Sequence, residues 1–362
     1  MITHTSLFNC NRVVIAKMAS TVSFKSTVAV ISRVPKLTSH LMKVLPSVEF
    51  RNIQLGKQGH EFNPFQPESG LPDDSLKQLQ ESEVIIADYN LIAPYLYCLP
   101  KARWVQGTWA GAEPIFKAYD ASKPPLPFVI TRFSGESFGA QMAEYVVAAV
   151  VNRERRFPYF KECQRSHFWD NNDMFVLDRS IQDLTFTVLG LGNIGDRVAS
   201  VLHALGASVW GVGRSERNTL PPYVHQYRTL AGLREALAAA DYVVNVLPGT
   251  SGTEGLLGGG VLEACAARRA VLVNVGRGSI VSEGDLLEAL RRGWLGGAVL
   301  DVLPEEPLPA SSALWDEPKV DITPHVAGCT RPQDVASFFC INLARYIAEQ
   351  PLLMPLDLER RY

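Results

Sequence analysis

The chain has 362 residues, more than twice the roughly 150 residues expected of one domain, so two domains are expected. Its 35 Lys and Arg residues nearly balance its 37 Asp and Glu residues, and 47% of the chain is hydrophobic. This composition excludes a disordered chain and a broadly basic protein that binds nucleic acid. No apolar run approaches the roughly 18 to 20 residues of a membrane-spanning helix. The six cysteines form no Cys-X-X-Cys pair, which is typical of a reducing compartment and argues against a metal site.

The first 26 residues are rich in Ser and Thr, and no Asp or Glu precedes Glu49. The basic residues of this extension are Arg12, Lys17 and Lys25. An acid-free and mildly amphipathic extension is compatible with a mitochondrial transit peptide. It holds only one Arg, however, and Met18 offers an alternative start that would remove most of it. We therefore expect a cytoplasmic protein, or a mitochondrial one if the extension is a transit peptide.

Short β-branched runs and one polar helical segment alternate after the extension. Strands are predicted at 27–31, 83–87, 104–106 and 128–131, and a helix at 74–81. This order is typical of parallel βαβ units. A cluster of Pro and Lys at 123–127 favours a domain boundary near residue 126.

After a predicted helix at 140–155, the alternation of strands and helices becomes regular from residue 184. Helices are predicted at 140–155, 194–205, 230–239, 260–266 and 283–291, and strands at 185–189, 208–212, 242–246, 270–274, 297–300 and 321–323. Strands and helices in this order indicate an α/β fold with a doubly wound parallel sheet of the Rossmann type.

A glycine-rich segment joins the first strand of this sheet to the following helix. It places Gly190, Gly192 and Gly195 in a GxGxxG run, with Asn193 and Ile194 between them. The first glycine permits the turn, the second lets a pyrophosphate approach the backbone, and the third lets helix and strand pack closely. We predict that these five residues bind a dinucleotide. The alternative is a glycine-rich turn that holds no ligand.

The next strand ends without the carboxylate that would accept hydrogen bonds from the ribose 2′-hydroxyl of NADH. It runs instead into Gly213, Arg214 and Ser215. Arg214 can pair with a 2′-phosphate and Ser215 can donate a hydrogen bond to it, so NADPH is the favoured coenzyme. Glu216 keeps NADH possible, and a solvated arginine on a turn is the alternative interpretation of Arg214.

Three polar residues follow successive strands at the edge where open α/β sheets bind ligands. Arg277 lies between two glycines in NVGRG, Glu306 lies beyond the strand 297–300, and His325 follows the strand 321–323 in TPHVAG. The alternatives are that Arg277 caps a turn and that His325 is a surface histidine.

The order and spacing of these motifs resemble the D-isomer-specific 2-hydroxyacid dehydrogenase family. Over residues 60–345 the resemblance is carried by WVQGTWAGAEP, by AEY in the helix 140–155, and by GLGNIG, LPGTSGTEGLL, NVGRGSIV, GAVLDVLPEEPLP and TPHVAG. Within the family, GTWAGAEP and the strand tip GRS resemble most the NADPH-dependent glyoxylate/hydroxypyruvate reductases. The resemblance implies a reductase that transfers hydride to a small 2-keto acid and gives the D-2-hydroxy acid.

Reduction of a 2-keto acid needs an anion clamp, a hydride donor and an acid for the developing alkoxide. Arg277 suits the clamp, because its planar guanidinium can bind the carboxylate and ketone oxygens together. His325 suits the acid, and Glu306 beside it would favour the imidazolium and hold the ring. The resemblance implies these same roles. Glu305 is the alternative carboxylate, and Glu306 is chosen because it directly precedes PLP, where the catalytic glutamate of the family stands.

The resemblance implies further contacts with substrate and coenzyme. The backbone amides of Ala110 and Gly111 would help to hold the substrate carboxylate, and Asp301 would lie near the nicotinamide amide. Additional coenzyme contacts are expected at Leu247, Pro248, Thr253, Val275, Gly276 and Gly328.

The resemblance also implies that a dinucleotide-binding domain, residues 127–325, is inserted in a flavodoxin-like substrate domain, residues 27–126 and 326–362. The active site would lie between the domains. The helix 140–155 and the segment to Trp169 would pack across a two-fold dimer, because the sequence offers this apolar helix no other obvious burial. Trp169 could then be a pocket wall across the subunits.

Two alternative functions remain open on the sequence. A reductase of bulkier 2-keto acids would differ only in its pocket lining. A dinucleotide-sensing protein, like the transcriptional corepressors of this fold, would bind the coenzyme without turnover. We expect a homodimer with a small 2-keto acid as substrate, and neither nucleic acid, a membrane nor a metal as a partner.

Overall fold

The computed structural model describes residues 24–55, 70–171 and 179–360, so the predicted extension, residues 1–26, lies almost wholly outside the described residues. The strands are β1 (Val28–Ile31), β2 (Phe50–Asn52), β3 (Val84–Ala87), β4 (Trp104–Gly107), β5 (Val129–Thr131), β6 (Thr185–Leu189), β7 (Ser208–Gly213), β8 (Gln226–Thr229), β9 (Tyr242–Asn245), β10 (Val271–Asn274), β11 (Gly297–Leu300) and β12 (Val320–Ile322). The α-helices are α1 (Leu37–Val44), α2 (Asp73–Gln80), α3 (Tyr89–Ile92), α4 (Glu113–Ala118), α5 (Glu136–Glu154), α6 (Phe157–Arg165), α7 (Asn193–Ala204), α8 (Leu233–Ala238), α9 (Glu283–Arg291) and α10 (Pro332–Ile347). Short 3-10 helices lie at Ala93–Tyr95, Ile181–Asp183, Leu230–Gly232, Val261–Cys265, Gly278–Ile280 and Ala313–Trp315.

The described residues divide into two compact units. Unit 1 comprises those within Met1–Gly135 and Thr330–Tyr362, and unit 2 those within Glu136–Cys329. The predicted boundaries at 126 and 325 differ from this division. β5 pairs in parallel with β4, so residues 129–131 belong to the sheet of unit 1. The loop after β12 stays with unit 2, because the side chain of Gln141 in α5 bonds the backbone of Cys329.

Unit 1 is built on a parallel sheet with the strand order β2-β1-β3-β4-β5. This is the order of flavodoxin-like folds, which the resemblance implied for the substrate domain. β1, β3 and β4 are buried along their whole length, as parallel strands covered on both faces require. Trp104 of β4 stacks on Phe339 and Tyr346 of α10, which packs this C-terminal helix into the core of unit 1.

Unit 2 is built on a parallel sheet with the strand order β12-β11-β10-β9-β6-β7-β8. From β6 the chain first adds β7 and β8 on one side, and then crosses to add β9 to β12 on the other. This is the doubly wound Rossmann order, so the predicted fold class is confirmed. The strands β9, β10 and β11 are wholly buried, and their side chains form a core with those of α8 and α9.

The prediction missed β2 and β8. Both are edge strands with the sequences FRN and QYRT, and neither carries the apolar run by which the inner strands were recognised. The predicted helix 260–266 is the 3-10 helix Val261–Cys265, and the predicted helix 230–239 begins as a 3-10 turn before α8.

The expectation that the helix 140–155 has no burial within its own chain is wrong. Its counterpart α5 packs along α7, and Met142, Ala143, Val146 and Val150 are buried in a single chain. The burial of α5 therefore needs no second subunit. In the described part of the chain, no helix combines the length and the apolar character needed to cross a bilayer.

Candidate active site

The predicted residues of unit 2 lie where its strands end. All strands of this sheet are parallel, so their carboxyl ends share one edge. β6 and β9 are neighbours in the sheet. After β6 the chain continues to strands on one side of this pair, and after β9 to strands on the other side. Between two such strands a crevice opens, and this is the position where open α/β sheets bind ligands.

The glycine loop between β6 and α7 fits a pyrophosphate. Gly190 has a φ of 98°, which glycine tolerates, and a Cβ on Gly195 would lie 1.8 Å from the carbonyl oxygen of Gly190. A Cβ on Gly192, by contrast, would meet nothing within 4 Å. Gly192 caps the 12-residue α7, whose first turn contains Asn193 and Ile194. The open side of Gly192 thus adjoins the N–H groups and the positive end of a helix, which favour an anion.

The turn after β7 presents Arg214 and Ser215 on an exposed surface. The hydroxyl of Tyr227 in β8 donates a 2.8 Å hydrogen bond to the carbonyl oxygen of Ser215 and so fixes the turn. The guanidinium of Arg217 lies over the Tyr227 ring, 5.5 Å from its centre, and donates to the carbonyl oxygen of Leu191 in the glycine loop. Two arginines therefore stand at this strand tip, and the second was not predicted as a coenzyme contact.

A buried pair of asparagines supports the backbone that carries Arg277. Asn274, the last residue of β10, donates from Nδ2 to the carbonyl oxygen of Arg277 at 3.1 Å. Its Oδ1 accepts a 2.8 Å hydrogen bond from Nδ2 of Asn245, the last residue of β9. The side chain of Arg277 folds back to donate to the carbonyl oxygen of Gly276 at 2.6 Å.

The loops after β9, β10 and β11 touch one another through small residues. A Cβ on Gly276 would lie 2.8 Å from both Asn245 Nδ2 and the carbonyl oxygen of Leu247, and one on Gly278 would lie 1.9 Å from the carbonyl carbon of Leu303. Val275 is buried and donates its N–H to Asn245. The predicted coenzyme contacts Leu247, Val275 and Gly276 are thus packed together beside the Arg277 backbone.

Two further predicted contacts, Pro248 and Thr253, shape one loop. The hydroxyl of Thr253 donates to the carbonyl oxygen of Pro248 at 2.6 Å, and the backbone N–H of Thr250 donates to that hydroxyl at 2.9 Å. The Thr253 hydroxyl is therefore engaged in closing the loop. The side chain of Leu247 faces the glycine loop, since its Cδ2 lies 3.0 Å from the Cβ position of Gly190.

Glu306 and His325 form a hydrogen-bonded pair. His325 Nδ1 lies 2.8 Å from Oε2 of Glu306, and both side chains are half-buried. Oε1 of Glu306 accepts a 2.9 Å hydrogen bond from the backbone N–H of Leu303, which holds the carboxylate in place. Because an ionised carboxylate only accepts, Nδ1 carries the proton, and Nε2 is the ring nitrogen left for the substrate. The exposed neighbour Glu305 is not the carboxylate that bonds His325 in this pair.

Asp301 holds the loop that carries His325. It is buried, and its carboxylate accepts hydrogen bonds from the Thr323 hydroxyl at 2.6 Å and from the backbone N–H groups of Val326 and Ala327 at 2.8 and 2.9 Å. Its carbonyl oxygen accepts the N–H of His325 at 2.9 Å. Asp301 thus holds the loop of His325 through hydrogen bonds to both its carboxylate and its carbonyl oxygen.

In unit 1, Ala110 and Gly111 lie half-buried in the loop between β4 and α4. The preceding Thr108 donates to the buried carboxylate of Asp88 at 2.6 Å, and that carboxylate also accepts from the Ser32 hydroxyl. Burial raises the pKa of Asp88, while its hydrogen bonds oppose the rise. Trp109 packs edge-on against Tyr89 in the same unit.

The model of the D-isomer specific 2-hydroxyacid dehydrogenase NAD binding domain matches residues 147–327. Glyoxylate/hydroxypyruvate reductase A of Salmonella paratyphi C is 31% identical over 302 residues, which are 82% of this chain and 94% of that protein. The enzyme of the same name from Klebsiella pneumoniae strain 342 is 33% identical over 238 residues, which are 66% of this chain and 74% of that protein. This chain belongs to the D-isomer specific 2-hydroxyacid dehydrogenase family.

Solved structures of the family share the fold of this dehydrogenase. The Xanthobacter autotrophicus Py2 protein in complex with NADPH and MES has a TM-score of 0.78 and 28% identity, and the match covers 94% of this chain and 100% of that one. The NADPH-dependent glyoxylate/hydroxypyruvate reductase of Sinorhizobium meliloti, in complex with NADP and sulfate, has a TM-score of 0.76 and 25% identity over 93% of this chain and 100% of that one.

Sequence reasoning missed several residues that shape the site of this dehydrogenase. Asn245 and Asn274 are the clearest, and a signal existed, because both neighbouring strands end in asparagine. Gly328 packs on α5, where its Cβ would lie 2.8 Å from Phe138, and its contact with the coenzyme stays a prediction. No group of three or more metal-ligating side chains occurs within 24–55, 70–171 and 179–360.

Replacement of Gly278 by Ala is expected to destabilise the dehydrogenase by about 1 to 3 kcal/mol, because the new methyl group collides with the Leu303 backbone and must shift it. The matched control is Gly284→Ala in α9, where the nearest atom lies 4.0 Å away. This control should leave stability unchanged or raise it by up to about 1 kcal/mol, since Ala favours a helix. Chemical denaturation of both variants measures the difference, and equal stabilities would contradict the close packing.

Proposed function

We propose that this dehydrogenase uses NADPH to reduce glyoxylate to glycolate or hydroxypyruvate to D-glycerate. The observation that carries the proposal is the 2.8 Å contact between His325 and Glu306, at the sheet edge that also holds the Arg277 loop and the glycine loop. The reductases of Salmonella and Klebsiella that resemble this chain bear the corresponding name. The Sinorhizobium structure is that of an NADPH-dependent enzyme.

Each side chain has a task set by its chemistry. Arg277 binds the substrate carboxylate and the adjacent ketone oxygen, because its guanidinium offers two parallel N–H donors. His325 donates the proton of Nε2 to the alkoxide that develops on the ketone oxygen. Glu306 keeps the proton of Nδ1 in place and stabilises the protonated ring. For the backbone amides of Ala110 and Gly111, the role of donors to the substrate carboxylate stays what the resemblance implies.

The coenzyme supplies the hydride when bound, and this chain fits it at two places. Gly192 and the first turn of α7 hold the pyrophosphate, where a Cβ would find open space. Arg214 and Ser215 hold the 2′-phosphate at the tip of β7, which lacks the carboxylate that selects NADH. NADPH is therefore the preferred coenzyme, and NADH is used less well.

An exposed apolar patch favours a homodimer. The patch comprises Phe157, Tyr159, Phe160, Phe168 and Trp169, and Trp169 is 86% exposed. Large apolar side chains clustered on a surface mark interaction sites, and a second copy is the commonest partner of a soluble enzyme. A two-fold axis at this patch would bury these side chains.

Purified protein is expected to oxidise NADPH in the presence of glyoxylate or hydroxypyruvate, and faster than with phenylpyruvate. Glu306→Gln should lower kcat by about 10² to 10⁴, because the proton donor loses its orienting carboxylate. The neighbouring variant Glu305→Gln is the matched control and should retain activity. Steady-state rates measure both. A folded protein that oxidises NADPH with no small 2-keto acid would refute the reductase, and faster turnover of phenylpyruvate would indicate a bulkier substrate.

Arg214→Ala is expected to raise the KM for NADPH about tenfold to a hundredfold, since a charge-assisted hydrogen bond to the 2′-phosphate is lost. The KM for NADH should hardly change, because NADH carries no such phosphate. Arg291→Ala, which removes an exposed arginine of α9, serves as the control. Equal losses with both coenzymes would contradict the assignment of Arg214.

The wild-type enzyme is expected to sediment at twice the mass of the chain, and Trp169→Glu to shift it towards the monomer, because a charge cannot be buried in the interface without a partner. Trp315→Glu changes another exposed tryptophan of unit 2 and should leave the mass unchanged. Analytical ultracentrifugation distinguishes these results. A wild-type monomer, or a Trp169→Glu dimer of full strength, would refute this interface.

A further inference from the structure

The backbone of the segment 323–329, named here the His325 loop, is held in an unusual conformation. His325 has a φ of 56°, in the left-handed region that residues other than glycine seldom adopt. Such a conformation costs about 1 to 3 kcal/mol and persists only where surrounding contacts determine it. Asp301 holds the middle of the loop through its hydrogen bonds to Val326 and Ala327. Further contacts fix the two ends of the loop.

One end of the His325 loop is held by Tyr145 of α5. The Tyr145 hydroxyl lies 2.6 Å from Oγ1 of Thr323, and that oxygen lies 2.6 Å from Oδ1 of Asp301. Because the carboxylate accepts the single hydroxyl proton of Thr323, Tyr145 must be the donor to Thr323. The chain of hydrogen bonds therefore runs from Tyr145 through Thr323 to the carboxylate that grips the middle of the loop.

The other end is held by Gln141, one helical turn earlier on α5. Its Oε1 accepts the N–H of Cys329 at 3.0 Å, and its Nε2 donates to the carbonyl oxygen of the same residue at 3.2 Å. A single amide side chain thus pairs with both polar groups of one peptide residue, as a neighbouring strand would.

Two apolar side chains of the same helix also lie against the loop. A Cβ on Gly328 would lie 2.8 Å from Phe138 Cζ and 3.1 Å from Met142 Cε. Positions 138, 141, 142 and 145 have the spacing i, i+3, i+4 and i+7, so they form one face of the helix. The whole of this face is engaged with the His325 loop.

We propose that contacts with α5 determine the conformation of the His325 loop, and that Tyr145 and Gln141 are positioning residues for the proton donor. The catalytic part of the inference rests on the proposed function of His325. The positioning part rests only on contacts within unit 2.

The electrostatic surroundings of Tyr145 are consistent with a neutral donor. Burial raises the pKa of Tyr145, and the nearby carboxylates of Asp301 and Asp321 raise it further. The hydroxyl consequently keeps its proton over the pH range in which the enzyme can be assayed.

The test compares Tyr145→Phe and Gln141→Leu with wild type, and uses Tyr242→Phe as the matched control. Tyr242 belongs to the same unit, and its hydroxyl also has a hydrogen-bond partner, Glu154, at the opposite edge of the sheet. In holoenzyme prepared with NADPH, hydrogen exchange of the peptide that covers 323–329 should be faster in both loop variants than in wild type. With hydroxypyruvate, kcat should fall about tenfold, while the dissociation constant of NADPH stays within about twofold. Tyr242→Phe should show neither change.

Unchanged exchange across 323–329 in both loop variants would overturn the positioning role, whatever the activity. Faster exchange with an unaltered kcat would show that the loop is held for stability alone and would overturn the catalytic part. A wild-type protein without any turnover would refute the proposed function, and the exchange measurement would then still decide whether α5 sets the loop.

Discussion

The parallel direction of the strands in unit 2 is the constraint on which the rest of its structure depends. Because every strand ends at the same edge, the segments after β6, β7, β9, β10, β11 and β12 are brought together even though they are far apart in the chain. Five of these segments carry groups that the proposed chemistry uses, Glu306 being the one after β11. The glycine loop and the turn after β7 fit the coenzyme, the loop after β10 carries Arg277, and the loop after β12 carries His325.

The meeting of these loops at one edge does not by itself orient His325. The structure shows which contacts hold the loops in place. Small residues let the loops touch, since Gly195, Gly276 and Gly278 leave no room for a Cβ. Buried polar side chains then fix the loops, because a buried polar group without a partner costs free energy. Asn245 and Asn274 support the backbone of Arg277, and Asp301 grips the loop of His325. The half-buried Arg277 and His325 thus rest on buried polar side chains that are hydrogen-bonded to the loops.

Much of this arrangement was predictable from the sequence. The inner strands are apolar runs, and GLGNIG, NVGRG and TPHVAG each combine a backbone requirement with a chemical group, so both the fold and the glycine loop could be inferred. Edge strands such as β8 lack an apolar run and were missed. Positioning residues were missed for a different reason: Tyr145 and Gln141 bear on His325 only because α5 crosses the loop after β12, about 180 residues later in the chain. The sequence shows that α5 is an apolar helix, and it does not show what this helix packs against.

The prediction for α5 failed for the same reason, because the sequence does not show which parts of the chain cover a helix. An apolar helix without obvious burial suggested a subunit interface, whereas α7 and the His325 loop cover α5 within one chain. The aromatic patch that remains exposed lies further on, from Phe157 to Trp169, and it is this patch that a second copy would cover.

The most direct test of the account is the product formed from hydroxypyruvate and NADPH. A D-isomer specific dehydrogenase that presents its proton donor and its hydride donor to fixed faces of the ketone should form D-glycerate alone, with one NADPH consumed per molecule of product. Chiral chromatography with simultaneous measurement of NADPH absorbance gives both quantities. Formation of L-glycerate or of a mixture, or oxidation of NADPH without glycerate, would contradict the account.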